Sequence, residues 1–267
     1  MLAYDVGKYL SNLLSPEQLA ENLTYTPMKE DGLRSGDDSV EVKGVLVCWM
    51  ATSAAINYAI ENDCNVIICH ENPFFNTIIS PPELEGTSLA NRNRMKLLAE
   101  HNIALYRCHS PIDVAYIADA ALNALNLPVI SLYSEWIARV ATIPPMPIKE
   151  LAGRCREGFK IDNLRLIGDA SRIVSRVGIS AGGMGLSING FFQEWLRMRG
   201  AELIITGEFD DYTAFWAAES DVSFIAVTHP ACENPGLIEF ADRMRQDFPC
   251  LSVHFYECRC PIGHKYV

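Results

Sequence analysis

Asn65-Val66-Ile67-Ile68-Cys69-His70-Glu71 is the stretch from which the fold can be read. Its apolar residues follow one another without alternation, as in a strand covered on both faces of a parallel α/β sheet. The run then stops at two polar residues that can each ligate a cation. Upstream, Val45-Leu46-Val47-Cys48-Trp49 is a second such run, and Thr52 or Ser53 can cap a helix between the two, through about Asn62. Downstream, residues 88–101 predict a helix. Ile103-Ala104-Leu105-Tyr106-Arg107-Cys108 predicts a strand ending at His109, and residues 113–126 a further helix.

Outward from this core the signals weaken. Residues 5–14 have helical spacing, and Ser15-Pro16-Glu17 predicts the start of a second short helix, with Ser15 as N-cap. Residues 29–42 are polar and predict a loop or exposed hairpin. Residues 127–165, interrupted by Pro128, Pro144, Pro145 and Pro147, read as a connector with a short helix over 149–158.

Beyond the connector the plan repeats. Arg176-Val177-Gly178-Ile179-Ser180 is a strand, Ala181-Gly182-Gly183-Met184-Gly185 a tight loop, and residues 186–200 a helix stopped by glycine. A strand over 202–206 ends at Gly207-Glu208. A helix over 211–220 leads to a strand over 223–228 that ends at His229. A helix over 234–248 and a strand over 251–256 complete the chain. The expectation is α/β: two related α/β lobes with mixed, mostly parallel sheets and a metal site in the cleft between them. The first lobe is placed at 1–128, the connector at 129–165 and the second lobe at 166–267.

The halves correspond in detail. In each, one strand ends in an acidic pair (His70-Glu71, Gly207-Glu208), and the next ends in a histidine followed four residues later by an acid (His109 and Asp113, His229 and Glu233). Ligands bind at the carboxyl ends of parallel strands. His70, Glu71, Asp113, His229 and Glu233 are therefore the candidate ligands of a dinuclear centre, with His109 beside it and Glu208 or Glu71 available for proton transfer. Imidazole and carboxylate suit Zn, Fe or Mn. Two such ions about 3.5–4 Å apart lower the pKa of a shared water and clamp developing charge. A lone histidine at a strand end is more often a hydrogen-bonded structural residue, and the following acid can simply cap a helix. Recurrence in both halves is what favours the metal.

Other candidates are weaker. Gly182, Gly183 and Gly185 follow a strand and could cradle a phosphate, but Ile188 stands where the dinucleotide fingerprint needs glycine, so a tight turn is preferred. Cys258, Cys260 and His264 offer three soft ligands without a fourth.

Bulk properties narrow the class. The 267 residues carry a formal net charge of -11, which disfavours nucleic-acid partners. No apolar run approaches the roughly 20 residues of a membrane helix, and the first residues do not resemble a secretion signal. Nine cysteines without a Cys-x-x-Cys pair fit a reducing cytoplasm.

Taken together the motifs resemble one family. His70-Glu71-Asn72-Pro73-Phe74-Phe75 resembles the His-His-Pro-aliphatic-Phe segment of the NIF-three-like family, the type-2 GTP cyclohydrolase-like proteins. His109-Ser110-Pro111-Ile112-Asp113 resembles its His-Thr-x-x-Asp, and Ala181-Gly182-Gly183-Met184-Gly185 its glycine loop. Thr206-Gly207-Glu208 matches its Thr-Gly-Glu, and His229-Pro230-Ala231-Cys232-Glu233 its Gly-His-x-x-x-Glu. The resemblance implies a two-lobed α/β fold, two divalent metal ions and a toroidal homohexamer. It assigns one ion to His70, His229 and Glu233 and the other to Glu71, Asp113 and a bridging Glu233. Here the pair's second histidine is Glu71, a harder ligand that shifts preference from Zn toward Mn, Fe or Mg. Another departure is Trp49-Met50 where the family has an early aspartate; a third is Asp210-Asp211 after Thr-Gly-Glu. The implied function is a metal-dependent hydrolase acting on a small nucleotide-like or phosphorylated molecule. The alternative is a non-catalytic metal-binding adaptor or metal-handling protein.

Overall fold

In the computed structural model of the chain, residues 1–14, 31–75, 86, 88–135 and 137–262 are described. The short helix expected at Ser15-Pro16-Glu17 and the side chain of His264 lie outside them. The chain divides into two compact units, Met1–Ala115 with Leu237–Cys258, and Tyr116–Gly236 with Arg259–Val267.

In the first unit, β1 (Gly32–Ser35), β2 (Gly44–Cys48), β3 (Val66–Cys69), β4 (Ala104–Arg107) and β11 (Ser252–Tyr256) form a sheet in the order β1-β4-β3-β2-β11. β2, β3, β4 and β11 run parallel and β1 lies antiparallel at the edge. Every residue of β2, β3 and β4 is buried, which is the burial that uninterrupted apolar runs require. α1 (Ala3–Ser11) opens the unit. α2 (Ser53–Glu61) is capped by Thr52, whose side chain accepts from Ala55 N, and α3 (Leu89–Glu100) by Ser88, which accepts from Asn91 N.

In the second unit the order is β5-β6-β8-β9-β10-β7. Here β8 (Ile173–Ser180), β9 (Leu203–Thr206) and β10 (Ser223–Ala226) are the parallel core. β5 (Ser131–Glu135), β6 (Ala138–Pro147) and β7 (Arg165–Ile167) pair antiparallel. α6 (Ile148–Phe159), α7 (Gly190–Met198) and α8 (Asp211–Glu219) complete the alternation. Both sheets therefore share a three-strand parallel core in the order of the chain.

Three assignments differ from the sequence. The supposed connector supplies the strands β5 and β6 as well as the expected short helix, α6. Its prolines mislead because Pro144 and Pro145 fall in the shift between the Thr142–Arg176 and Met146–Val174 pairs, where no ladder N–H is needed. The last strand, β11, pairs with β2 in the first sheet rather than in the second; an apolar run shows that a strand is buried, not which neighbour buries it. The last helix, α9 (His229–Asp247), begins at His229 and carries Pro235 inside it, whereas the sequence starts it after Glu233. One lost backbone donor did not outweigh more than one further turn of helix.

Candidate metal-binding residues

The spacing His-x-x-x-acid acquires a reason from the helices. Ser110–Ile112 is a turn of helix, α4, followed by a π-helical turn, Asp113–Ile117, and then α5 (Ala118–Ala124). Asp113 N donates to His109 O at 3.0 Å, so His109 and Asp113 stand one turn apart on the same face. Single π turns interrupting helices recur at functional sites. His229 and Glu233 are related in the same way within the first turns of α9.

In the first unit His70 follows β3 and is fully buried. Its Nδ1 lies 3.3 Å from Cys108 O, so with the proton on Nδ1 the ring points Nε2 toward Asp113 Oδ1, also at 3.3 Å. His109 stacks on it, ring centroids 4.4 Å apart and planes 8° from parallel. The Nδ1 of His109 is 3.0 Å from Asp113 Oδ2, and its Nε2 is 3.4 Å from Glu71 Oε1. Glu71 Oε2 accepts from Asn72 N and lies 3.6 Å from Arg107 Nη2. Arg107 is buried on β4, and its Nε donates to His70 O. Asp31 Oδ1 accepts from His109 N at 2.9 Å, and Oδ2 accepts more weakly from Ser110 N. One nitrogen of His70, one of His109 and one oxygen of Asp113 lie within 4.8 Å of one another.

In the second unit Glu208 follows β9. Its Oε1 lies 2.8 Å from His229 Nδ1, and His229 Nε2 lies 3.2 Å from Glu233 Oε1. Glu233 is buried, while Glu208 keeps 42% of its side chain exposed. The glycine loop packs against this group. Gly182 sits at φ +61, and a Cβ there would run into the Glu233 carboxylate and come within 2.7 Å of His229 Nε2. Its carbonyl accepts from Gly207 N and Glu208 N. The loop thus brings backbone where no side chain fits, which is the tight-turn alternative with a specific purpose.

Charge follows the geometry. Burial disfavours a charged His109, but Asp113 and Glu71 on either side outweigh it and hold its pKa well above the ordinary histidine value. Burial would raise Asp113, yet His109 and His70 pull its carboxyl well below the carboxylate range. Burial pushes the Cys69 and Cys232 thiols up to about 12, so both remain protonated core residues. Cys258 is likewise buried and donates to Met50 O.

The donor set suits a divalent ion. Bonds of about 2.0–2.1 Å at tetrahedral angles put two ligand atoms roughly 3.3 Å apart. The His70–Asp113 and His229–Glu233 approaches, at 3.3 and 3.2 Å, match that edge. A charge-assisted hydrogen bond is typically shorter, about 2.7–2.9 Å. In both units the ring's other nitrogen is tied to an oxygen, the arrangement that orients metal-ligating histidines.

The structure therefore gathers His70, Glu71, His109 and Asp113 within the first unit, and Glu208, His229 and Glu233 within the second. Sequence reading missed Asp31, Arg107 and the steric demand at Gly182. Arg107 was detectable as a charge inside an apolar strand; Asp31, 78 positions from His109, had no local signal.

Comparison with known proteins gives the family and the fold. A family model described as Duf34/NIF3 (NGG1p interacting factor 3) matches residues 4–261. The chain is 28% identical over 241 residues to a GTP cyclohydrolase 1 type 2 homolog of Clostridium acetobutylicum, covering 85% of this chain and 87% of that one. A protein of the same description from Chlamydia pneumoniae is 26% identical over 266 residues, covering 97% and 100%. The fold is similar to that of Staphylococcus aureus hypothetical protein SA1388, with a TM-score of 0.77 at 18% identity over 100% and 99% of the two chains. The chain belongs to the Duf34/NIF3 family.

Proposed function

We propose that the chain is a metal-dependent hydrolase with a dinuclear centre, acting on a small nucleotide-like or phosphorylated molecule. The carrying observation is that each unit sets a histidine Nε2 3.2–3.3 Å from a carboxylate oxygen and ties the same ring's Nδ1 to another oxygen. His70 and Asp113 of the first unit and His229 and Glu233 of the second are the proposed ligands, with Glu71 at the position where the family has histidine. Divalent ions held there would supply Lewis acidity and make a bound water acidic near neutral pH.

The chain's own residues divide the remaining work. Glu208 holds His229 through Oε1 and, being partly exposed, has its other oxygen available to take or give a proton. Glu71, held between Arg107 and His109, is less free to do so. Support for nucleotide chemistry comes from the descriptions of the relatives in Clostridium acetobutylicum and Chlamydia pneumoniae as GTP cyclohydrolase 1 type 2 homologs. Among the described residues no helix is long and apolar enough to cross a membrane; the protein is proposed to work in the cytoplasm as a homohexamer. Exposed apolar side chains of the second unit, among them Phe191, Tyr212 and Phe215, support self-association.

The test is metal analysis of the purified protein with hydrolysis screening of GTP and other nucleotides, wild type against Glu233→Ala. Metal in the wild type, and loss of metal and turnover together in the variant, support the hydrolase. Metal lost with no turnover by either protein in any assay would leave the second possibility, a metal-handling protein. No transition metal before or after reconstitution overturns both.

A further inference from the structure

Glu71 occupies the position of a family ligand, yet both oxygens of its carboxylate already face partners within the first unit. Oε1 faces His109 Nε2 at 3.4 Å, and Oε2 accepts from Asn72 N and faces the buried Arg107 guanidinium at 3.6 Å. A carboxylate that neutralises a buried arginine cannot turn to a metal ion without leaving that charge uncompensated, which is costly. The consequence falls on His109. When a metal ion displaces the Nδ1 proton, Nε2–H stays directed at Glu71 and the ligating lone pair of the ring is on Nδ1. That nitrogen is buried, lies 3.0 Å from Asp113 Oδ2 and makes no aligned hydrogen bond. Asp113 thus offers one oxygen toward each histidine, Oδ1 to His70 and Oδ2 to His109.

We infer that the first unit's metal is held by His70, His109 and Asp113, and that Glu71 is a positioning residue that presents His109 rather than a ligand. This deepens the metal-binding function proposed above and rests on it. The histidine missing at 71 is made up by the one at 109, already stacked on His70 and anchored through its backbone by Asp31. Two histidines with one carboxylate leave positions open for water or substrate. Such a set is associated with Fe(II) and also accepts Mn(II) and Zn(II).

The experiment uses the full chain, stripped with chelator and reconstituted anaerobically with Fe(II), Mn(II) or Zn(II). Stoichiometry and affinity are read for wild type, His109→Ala, His109→Asn and Glu71→Gln, with X-ray absorption counting imidazoles on bound Zn(II). Thermal midpoints identify any variant that fails to fold, and the two substitutions at 109 guard against that outcome at one of them. Expected is the loss of one equivalent, or at least a 100-fold weaker site, when His109 is replaced, with a fall in imidazole count. Glu71→Gln should keep stoichiometry and imidazole count while weakening affinity about 10-fold, as for a residue acting through a ligand. Loss of an equivalent in Glu71→Gln with His109 variants unaffected would overturn the assignment and leave metal binding standing. Failure of wild type to bind any of the three ions overturns the metal-binding function itself.

Discussion

The two units hold chemically similar histidine–carboxylate pairs but secure them by different means. In the first, His70 is fixed by a backbone carbonyl, Cys108 O, and the surrounding charges are anchored by the buried Arg107. In the second, His229 is fixed by one side chain, the partly exposed Glu208, and Glu233 is seated against the bare backbone of Gly182. A carbonyl in a strand-end turn cannot be mutated away, whereas a carboxylate can. The first set should therefore fail through its buried charges, and the second through single side-chain changes that leave the fold intact.

The largest effect expected is on stability, in the first unit. Arg107→Met keeps the apolar stem but removes the cation facing Glu71 Oε2 and the donor to His70 O, and should cost about 3 kcal/mol by chemical denaturation. The corresponding change in the second unit, Glu208→Gln, should cost under about 1 kcal/mol because the group is partly exposed; equal losses would abolish the contrast. Next is Gly182→Ala. The added methyl meets Glu233 in a backbone conformation that disfavours it, so stability should fall by about 2 kcal/mol. Metal bound through His229 and Glu233 should be lost in equilibrium dialysis. Gly183→Ala is the control, since its Cβ would meet only ordinary contacts, none nearer than 3.5 Å.

Third, Glu208→Ala should weaken metal binding about 10- to 100-fold while leaving the thermal midpoint nearly unchanged. Smallest is Asp210→Ala. Asp210 caps α8 through Thr213 N and also accepts from Ser187 N and Oγ. Desolvation would raise its carboxyl, but these bonds together outweigh it and hold its pKa at about 2. Its folded pKa lies below the unfolded value of about 3.9. The stabilisation, about 1 kcal/mol, is thus present above pH 4 and lost as pH falls through 2. Denaturation of the variant and wild type at pH 7 and pH 2.5 should show the gap narrowing; a constant gap would mean that the carboxylate charge is not what stabilises the cap.

Legibility of the fold tracked how local its causes are. Buried parallel strands announce themselves as apolar runs, so β2, β3, β9 and β10 were readable, as was the cap at Thr52. The antiparallel strands β5 and β6 were not, because prolines at a shifted register look like punctuation. The histidines and acids gathered within each unit, His70, Glu71, His109 and Asp113 in one and Glu208, His229 and Glu233 in the other, were legible as candidates because strand ends and the His-x-x-x-acid spacing repeat along the chain. Their wiring was not legible. No local pattern links Asp31 to His109, Arg107 to Glu71, or Gly182 to Glu233.

The sequence by itself determined that this is an α/β chain with a repeated strand-end histidine and acid, since burial period and residue spacing are written along one dimension. Tertiary structure decided which nitrogen each histidine presents, that Glu71 is bound to Arg107, and that β11 belongs to the first sheet. Those depend on hydrogen bonds and ion pairs between residues tens to hundreds of positions apart, whose energies exist only once the chain has folded.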